Sequence, residues 1–142
     1  MKKIVFVCLG NICRSPMAEF VMKGLADQFE VESRATSSWE HGNPIHMGTQ
    51  GIFQRHKIAF DPSKTSQQIS SADFKNFDYI IGMDSSNVAD LKRMAPRNCQ
   101  SKIYQFAQTS VPDPWYTGDF DETYERVLKG CQEWLKRIEN ES

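Results

Sequence analysis

Apolar positions run along this chain in two rhythms. Near the start, "KKIVFV" is a short, continuous, β-branched run, the pattern of a strand covered on both faces in a parallel sheet. Beyond it, "MAEFVMKGLADQF" spaces Met17, Phe20, Val21, Leu25 and Phe29 as one side of a helix, with Pro16 at a first helical position, where its missing N–H matters least. "VESRATS" reads as a second strand, "MGTQGIFQRHKI" as a helix with Ile52 and Phe53 inward, and "FDYIIGM" as a third strand. Asp84 or Ser85 is placed to cap a helix over "SNVADLKRMA", which Pro96 helps to stop. "KIYQF" is a fourth strand. After the proline-containing "SVPDPWYTGDF", a terminal helix runs from about Asp121 to Ile138, with Tyr124, Val127, Leu128, Cys131, Leu135 and Ile138 on one face.

Strand and helix alternate throughout, which predicts an α/β fold with a parallel sheet covered by helices on both faces. In such sheets ligands bind beyond the carboxyl ends of the strands. The 142 residues carry no linker, repeat or low-complexity tract, so residues 1–142 are expected to form one domain.

Charge and cysteine usage narrow the class. A formal net charge of −1 argues against a nucleic-acid or membrane-surface partner held by bulk electrostatics. Lys2 and Lys3 followed by "IVFVCLG" resemble the start of a secretory signal, but Asn11 and Arg14 arrive where a longer apolar core and a small-residue cleavage site belong. No apolar run is long enough to span a bilayer. Cys8, Cys13, Cys99 and Cys131 are even in number, yet a chain of this size does not need a disulfide framework. A cytoplasmic location with reduced thiols is the default, and export without a signal peptide stays open.

The candidate chemistry lies where the first strand hands over to the first helix, in "CLGNICRSP". A turn containing Gly10 and Asn11 can curl its backbone N–H groups inward as a nest for an anion at the positive end of a helix. The same field favours the thiolate of a cysteine placed there. Cys8 opens the turn and Arg14 closes it, so a loop folded on itself brings a nucleophile and a planar cationic clamp to one tetrahedral oxyanion. Ser15 can donate its hydroxyl to the sulfur. Nucleophile, oxyanion cradle and clamp are what phosphoryl transfer to a thiol requires.

Each residue also has a plainer reading. Cys8 alone, at the end of an apolar strand, suits a buried inert thiol, and Asp113 before Pro114 suits a turn former. Cys8 and Cys13 have no second Cys/His pair at metal-ligand spacing, so no metal is expected. Cys13 suits either a small packing residue or a redox partner of Cys8. Cys99 and Cys131 read as structural, and His41, His46 and His56 as surface or loop residues.

The full "VCLGNICRSPMAE", with "FDYIIGMDSSN" and "VPDPWY" further on, resembles the low-molecular-weight protein tyrosine phosphatases of bacterial type over nearly the whole chain. That resemblance implies a flavodoxin-like, four-stranded parallel sheet in the order 2-1-3-4, with no cofactor. It implies hydrolysis of phosphotyrosine through a phosphocysteine, with Cys8 as nucleophile, Arg14 as oxyanion clamp, Ser15 as thiolate partner and Asp113 as general acid and base. Asn11 and Ser33 match positions that brace the phosphate loop. Loop residues Leu9, Gly10, Asn11, Ile12 and Cys13 match the substrate cradle, and Trp39, Trp115 and Tyr116 match the pocket walls.

Two departures stand out. Trp115 takes a place where Tyr is commoner, and "DPSKTSQQ" offers Ser63 near a point where a His often braces the loop. Implied partners are phosphotyrosine proteins, a bacterial kinase and its targets, with phosphate and other oxyanions as inhibitors.

Three other readings compete. Thioredoxin-coupled arsenate reductases need two further cysteines near the third strand, which "GMDSSNVADL" lacks. Protein arginine phosphatases typically carry Thr where this chain has Ile12. Cys8, Arg14 and Asp113 together argue against a catalytically idle phosphotyrosine-binding or sugar-phosphotransfer regulator on a doubly wound sheet.

Overall fold

The computed structural model describes residues 1–141. Its sheet contains β1 (Lys2–Cys8), β2 (Phe29–Ala35), β3 (Tyr79–Gly82) and β4 (Ile103–Gln105), all parallel and ordered β2-β1-β3-β4. The helices are α1 (Arg14–Leu25), α2 (Met47–Arg55), α3 (Ser71–Asn76), α4 (Ser85–Met94), α5 (Pro114–Thr117) and α6 (Phe120–Glu141), with a 3-10 segment at Arg97–Lys102. Among the described residues, no helix is long and apolar enough to cross a membrane.

Alternation along β1 divides the interior in two. Ile4, Phe6 and Cys8 face a core built with α1, α2 and α6, through Met17, Val21, Phe53, Val127 and Ile138. Val5 and Val7 face a smaller core with Phe74, Phe77, Leu91 and Cys99. Successive side chains of a strand point to opposite faces, so a central strand wetted on neither face must be apolar throughout. Each such side chain contributes about 1.5–3 kcal/mol by leaving water. On the larger face α6 comes so close to the sheet that a Cβ on Gly130 would lie 2.2 Å from the Phe106 ring. The Trp134 indole N–H donates to the Phe106 carbonyl at 2.7 Å.

Several boundaries differ from the sequence reading. α1 begins at Arg14, so Pro16 is its third residue, and the helix stops at Leu25. Phe29 therefore starts β2 instead of lying on the helix, and Leu25 is exposed. α2 ends at Arg55 because His56 leaves helical geometry and Lys57 turns left-handed at φ 56°. β2 covers residues 29–35 because its pairing with β1 runs from Lys2 opposite Phe29 to Cys8 opposite Ala35. Thr36 and Ser37 then leave the sheet and serve the loop after β1.

Candidate active site

β1 delivers Cys8 to the carboxyl edge of the sheet, and residues 9–13 curl above it. The carbonyls of Cys8, Leu9, Gly10, Ile12 and Cys13 are held from outside. Thr36 N donates to Cys8 O at 3.0 Å, Ser37 N to Leu9 O at 3.2 Å and His46 N to Ile12 O at 2.9 Å. The hydroxyls of Ser37, Ser66 and Thr49 donate to Leu9 O, Gly10 O and Cys13 O. In a trans peptide, C=O and the following N–H point opposite ways, so carbonyls drawn outward turn the N–H groups of the loop inward. Asn11 N shows the result, lying 3.3 Å from Cys8 Sγ. Asn11 takes the left-handed conformation this needs, at φ 57°, which Asn adopts more readily than most residues. α1 then starts with no side-chain cap and no acid in its first turn, leaving its positive end free for an anion.

Arg14, buried at the start of α1, is held on two sides. Its Nη1 donates to Asp84 Oδ2 at 2.6 Å and Val111 O at 3.1 Å, and its Nη2 to Asp113 Oδ2 at 3.3 Å. Among the described residues its buried Nε has no hydrogen-bond partner. Burial works against the guanidinium's charge, but the Cys8 sulfur and the Asp84 and Asp113 carboxylates outweigh it and hold the Arg14 pKa above its usual value. The Cys13 thiol is pushed the other way. Burial first, then Cys8 and Asp113, raise its pKa and keep it protonated.

Below the loop, Cys8 Sγ and Ser15 Oγ are 3.0 Å apart. The Asn11 amide donates to both Ser15 Oγ (2.8 Å) and Ser33 Oγ (3.0 Å), and Gln67 N fixes its other end by donating to Asn11 Oδ1 at 3.1 Å. Ser63 takes no part. It is exposed and bonded to Asp61, while the segment's contacts with the loop come from Ser66 and Gln67.

A pocket of about 150 Å³ opens over the sulfur, lined by loop residues 8–14 with Trp39, Glu40, Asp113, Trp115 and Tyr116. Asp113 caps α5, its Oδ1 accepting from Trp115 N at 3.1 Å. Every site residue read from the sequence except Ser15 and Ser33 lines this pocket, and those two lie beneath it. Among the described residues, no group of three or more His, Cys, Asp or Glu could hold a metal ion.

Sequence reasoning missed Glu40 on the wall, Asp84 as a partner of Arg14 and Glu19 under Ser33. Glu19 alone carried a signal, as an acid between the apolar Met17 and Phe20 of α1.

A family model described as low molecular weight phosphotyrosine protein phosphatase matches residues 3–142. A low molecular weight protein-tyrosine-phosphatase of Bacillus subtilis is 40% identical over 154 aligned residues, covering 99% of this chain and 98% of that protein. One from Staphylococcus aureus is 42% identical over 149, covering 97% and 94%. Among solved structures, a low molecular weight protein tyrosine phosphatase from Streptococcus pyogenes is 62% identical with a TM-score of 0.95, covering 97% of this chain and 93% of that one. A Drosophila arginine phosphatase is 30% identical with a TM-score of 0.88, covering 97% and 98%. With a family model and full-length relatives at this identity, the chain belongs to the low molecular weight protein-tyrosine-phosphatase family.

Proposed function

We propose that this protein hydrolyses phosphotyrosine in proteins through a phosphocysteine intermediate. One observation carries the reading: Cys8 Sγ, the uncapped start of α1, the Arg14 guanidinium with its unpartnered Nε, and Asp113 share one pocket with aromatic walls. The Cys8 thiolate attacks phosphorus and the P–O bond to the phenyl ring breaks. Asp113 gives its proton to the leaving phenolate oxygen, a type of assistance worth about 10²–10⁴-fold. The inward N–H groups and Arg14 hold the three equatorial oxygens as negative charge spreads over them. Asp113 then takes a proton from water, whose oxygen attacks phosphorus and breaks the P–S bond, releasing phosphate and restoring the thiolate.

Apolar Ile12 and the rings of Trp39, Trp115 and Tyr116 suit a phenyl ring deep enough to reach Cys8. Phosphotyrosine proteins, with the bacterial kinase that makes them, are the partners this reading implies. Phosphate and other oxyanions would compete for the cradle, and a cytoplasmic location supplies the substrate. Cys13, kept as a thiol, is placed five residues from Cys8 to trap an oxidised Cys8 sulfur as a disulfide.

A second reading, phosphoarginine, is favoured by Glu40, whose carboxylate on the pocket wall could pair with a guanidinium, and by the likeness to the Drosophila arginine phosphatase. The test is kcat/KM on matched phosphotyrosine and phosphoarginine peptides, with Cys8→Ser as blank. A strong phosphotyrosine preference supports the first reading. The reverse preference keeps the Cys8 chemistry and rejects the aromatic slot.

A further inference from the structure

Beneath the phosphate loop lies a polar chain that the catalytic steps do not use. It ends at Glu19 of α1, which is 2% exposed. Glu19 Oε1 accepts from Ser33 Oγ at 2.6 Å, and Oε2 accepts from Lys23 Nζ at 2.7 Å. Lys64, in the segment between α2 and α3, reaches under the loop from the other side. Its Nζ donates to Ser33 O at 2.9 Å and lies 3.7 Å from Glu19 Oε1, with its side chain only 12% exposed.

The chemistry of these groups fixes where each proton goes. An ionised carboxylate only accepts, so the one Ser33 hydroxyl proton points at Glu19. Ser33 Oγ must then accept from Asn11 Nδ2. The Asn11 amide cannot be turned round, because Gln67 N, which only donates, faces its oxygen. Its second N–H therefore goes to Ser15 Oγ. Ser15, already accepting, has its own proton for Cys8 Sγ at 3.0 Å, the alternative acceptor Arg34 O lying farther away at 3.4 Å. A neutral group in place of the Glu19 carboxylate would remove the first constraint, and each link after it could reverse.

We infer that Lys64 is a positioning residue for Cys8: its largely buried ammonium stands beside the Glu19 carboxylate and supports it, and that carboxylate directs the donors Ser33, Asn11 and Ser15 toward the Cys8 sulfur. The inference rests on reading Cys8 as the nucleophile. Lys23, the other cation on Glu19, has a side chain 40% exposed, so water and salt screen it more than Lys64. The charged groups facing Lys64 are Glu19 and Lys23 from α1 and Arg34 and Glu32 from β2, with Asp61 nearby on its own segment. Burial is the main influence lowering the Lys64 pKa, opposed chiefly by Glu19. The Lys64 ammonium therefore depends on the Glu19 carboxylate beside it.

The test follows Cys8 alkylation by iodoacetamide, quantified on the Cys8 peptide by mass spectrometry across mildly acidic to neutral pH, in the intact protein. In Lys64→Met the rate near pH 6 should fall about tenfold and the rising limb of the pH profile should move up by about one pH unit, the equivalence for a single ionisation. Lys64→Arg should restore most of the rate. Glu19→Gln, close in shape and safer for folding, should show the same displaced profile.

A wild-type profile in folded Lys64→Met or in Glu19→Gln overturns the inference, and so does a loss that Lys64→Arg fails to rescue. A wild-type protein that alkylates fast and responds to these variants, yet turns over no phosphotyrosine, leaves the inference standing and rejects the proposed function.

Discussion

The floor and the rim of the pocket are built on opposite terms. At the floor, Cys8, Asn11, Arg14 and Ser15 are buried, and the carbonyls of residues 8–10, 12 and 13 are tied to β2, α2 or the segments beside them. At the rim, Trp39, Trp115 and Tyr116 are 77%, 57% and 79% exposed. The Trp115 ring meets His46 in a T-shaped contact, and His46 stacks on Phe120. A nest of N–H groups works only if it is held before the charge arrives, whereas a rim that meets varied peptide surfaces can stay open. Asp113 joins the two, one oxygen on Arg14 of the floor and the other on the Trp115 N–H of the rim.

The largest effect should come from removing the proposed nucleophile. Cys8→Ser should abolish turnover of any aryl phosphate while inorganic phosphate still binds, measured by steady-state kinetics and calorimetry. Residual turnover above an enzyme-free control would place the reaction elsewhere. Asp113→Ala comes next. Its rate on phenyl phosphate should fall by about 10²–10⁴-fold, with a much smaller fall on 4-nitrophenyl phosphate, whose leaving group needs little protonation. Equal slowing of both would remove Asp113 from the acid's role and with it the link between the regions.

Arg14→Lys keeps a positive charge but loses the planar fork. We expect kcat to fall by about 10²–10³-fold, in the range seen for the loss of an oxyanion donor, on small and peptide substrates alike. The smallest change belongs to the rim. Trp115→Ala should raise KM for a phosphotyrosine peptide about three- to tenfold, matching about 0.5–1.5 kcal/mol of aromatic contact, and leave kcat on 4-nitrophenyl phosphate near its original value. If Trp115→Ala instead cuts kcat on the small substrate as Arg14→Lys does, floor and rim are one unit and the contrast fails.

The parts legible in the sequence are those governed by near neighbours along the chain. The apolar run of β1 announced a doubly covered strand, the spacing in α1 and α6 and the cap and stop around α4 announced helices, and "CLGNICRSP" announced a special turn at the end of β1. α3 was missed because six residues are too few to show a helical period, although Ser70 and Asp73 form a capping box that local pattern could reveal. The end of α1 was overshot to Phe29 because an apolar residue at helical spacing also fits the first position of a strand.

By itself, then, the sequence determined the order of strands and helices, and a tight loop between the Cys8 thiol and the start of α1. Tertiary structure alone decided what surrounds that thiol. Asp84 meets Arg14, Glu40 lines the pocket, Ser66 holds Gly10, and Lys64 meets Glu19 only once β1 lies between β2 and β3. The physical reason is range. Propensity and periodicity act over a few residues, but a buried charge or hydroxyl takes its partner from whatever element the fold sets against it, as 70 residues separate Arg14 from Asp84.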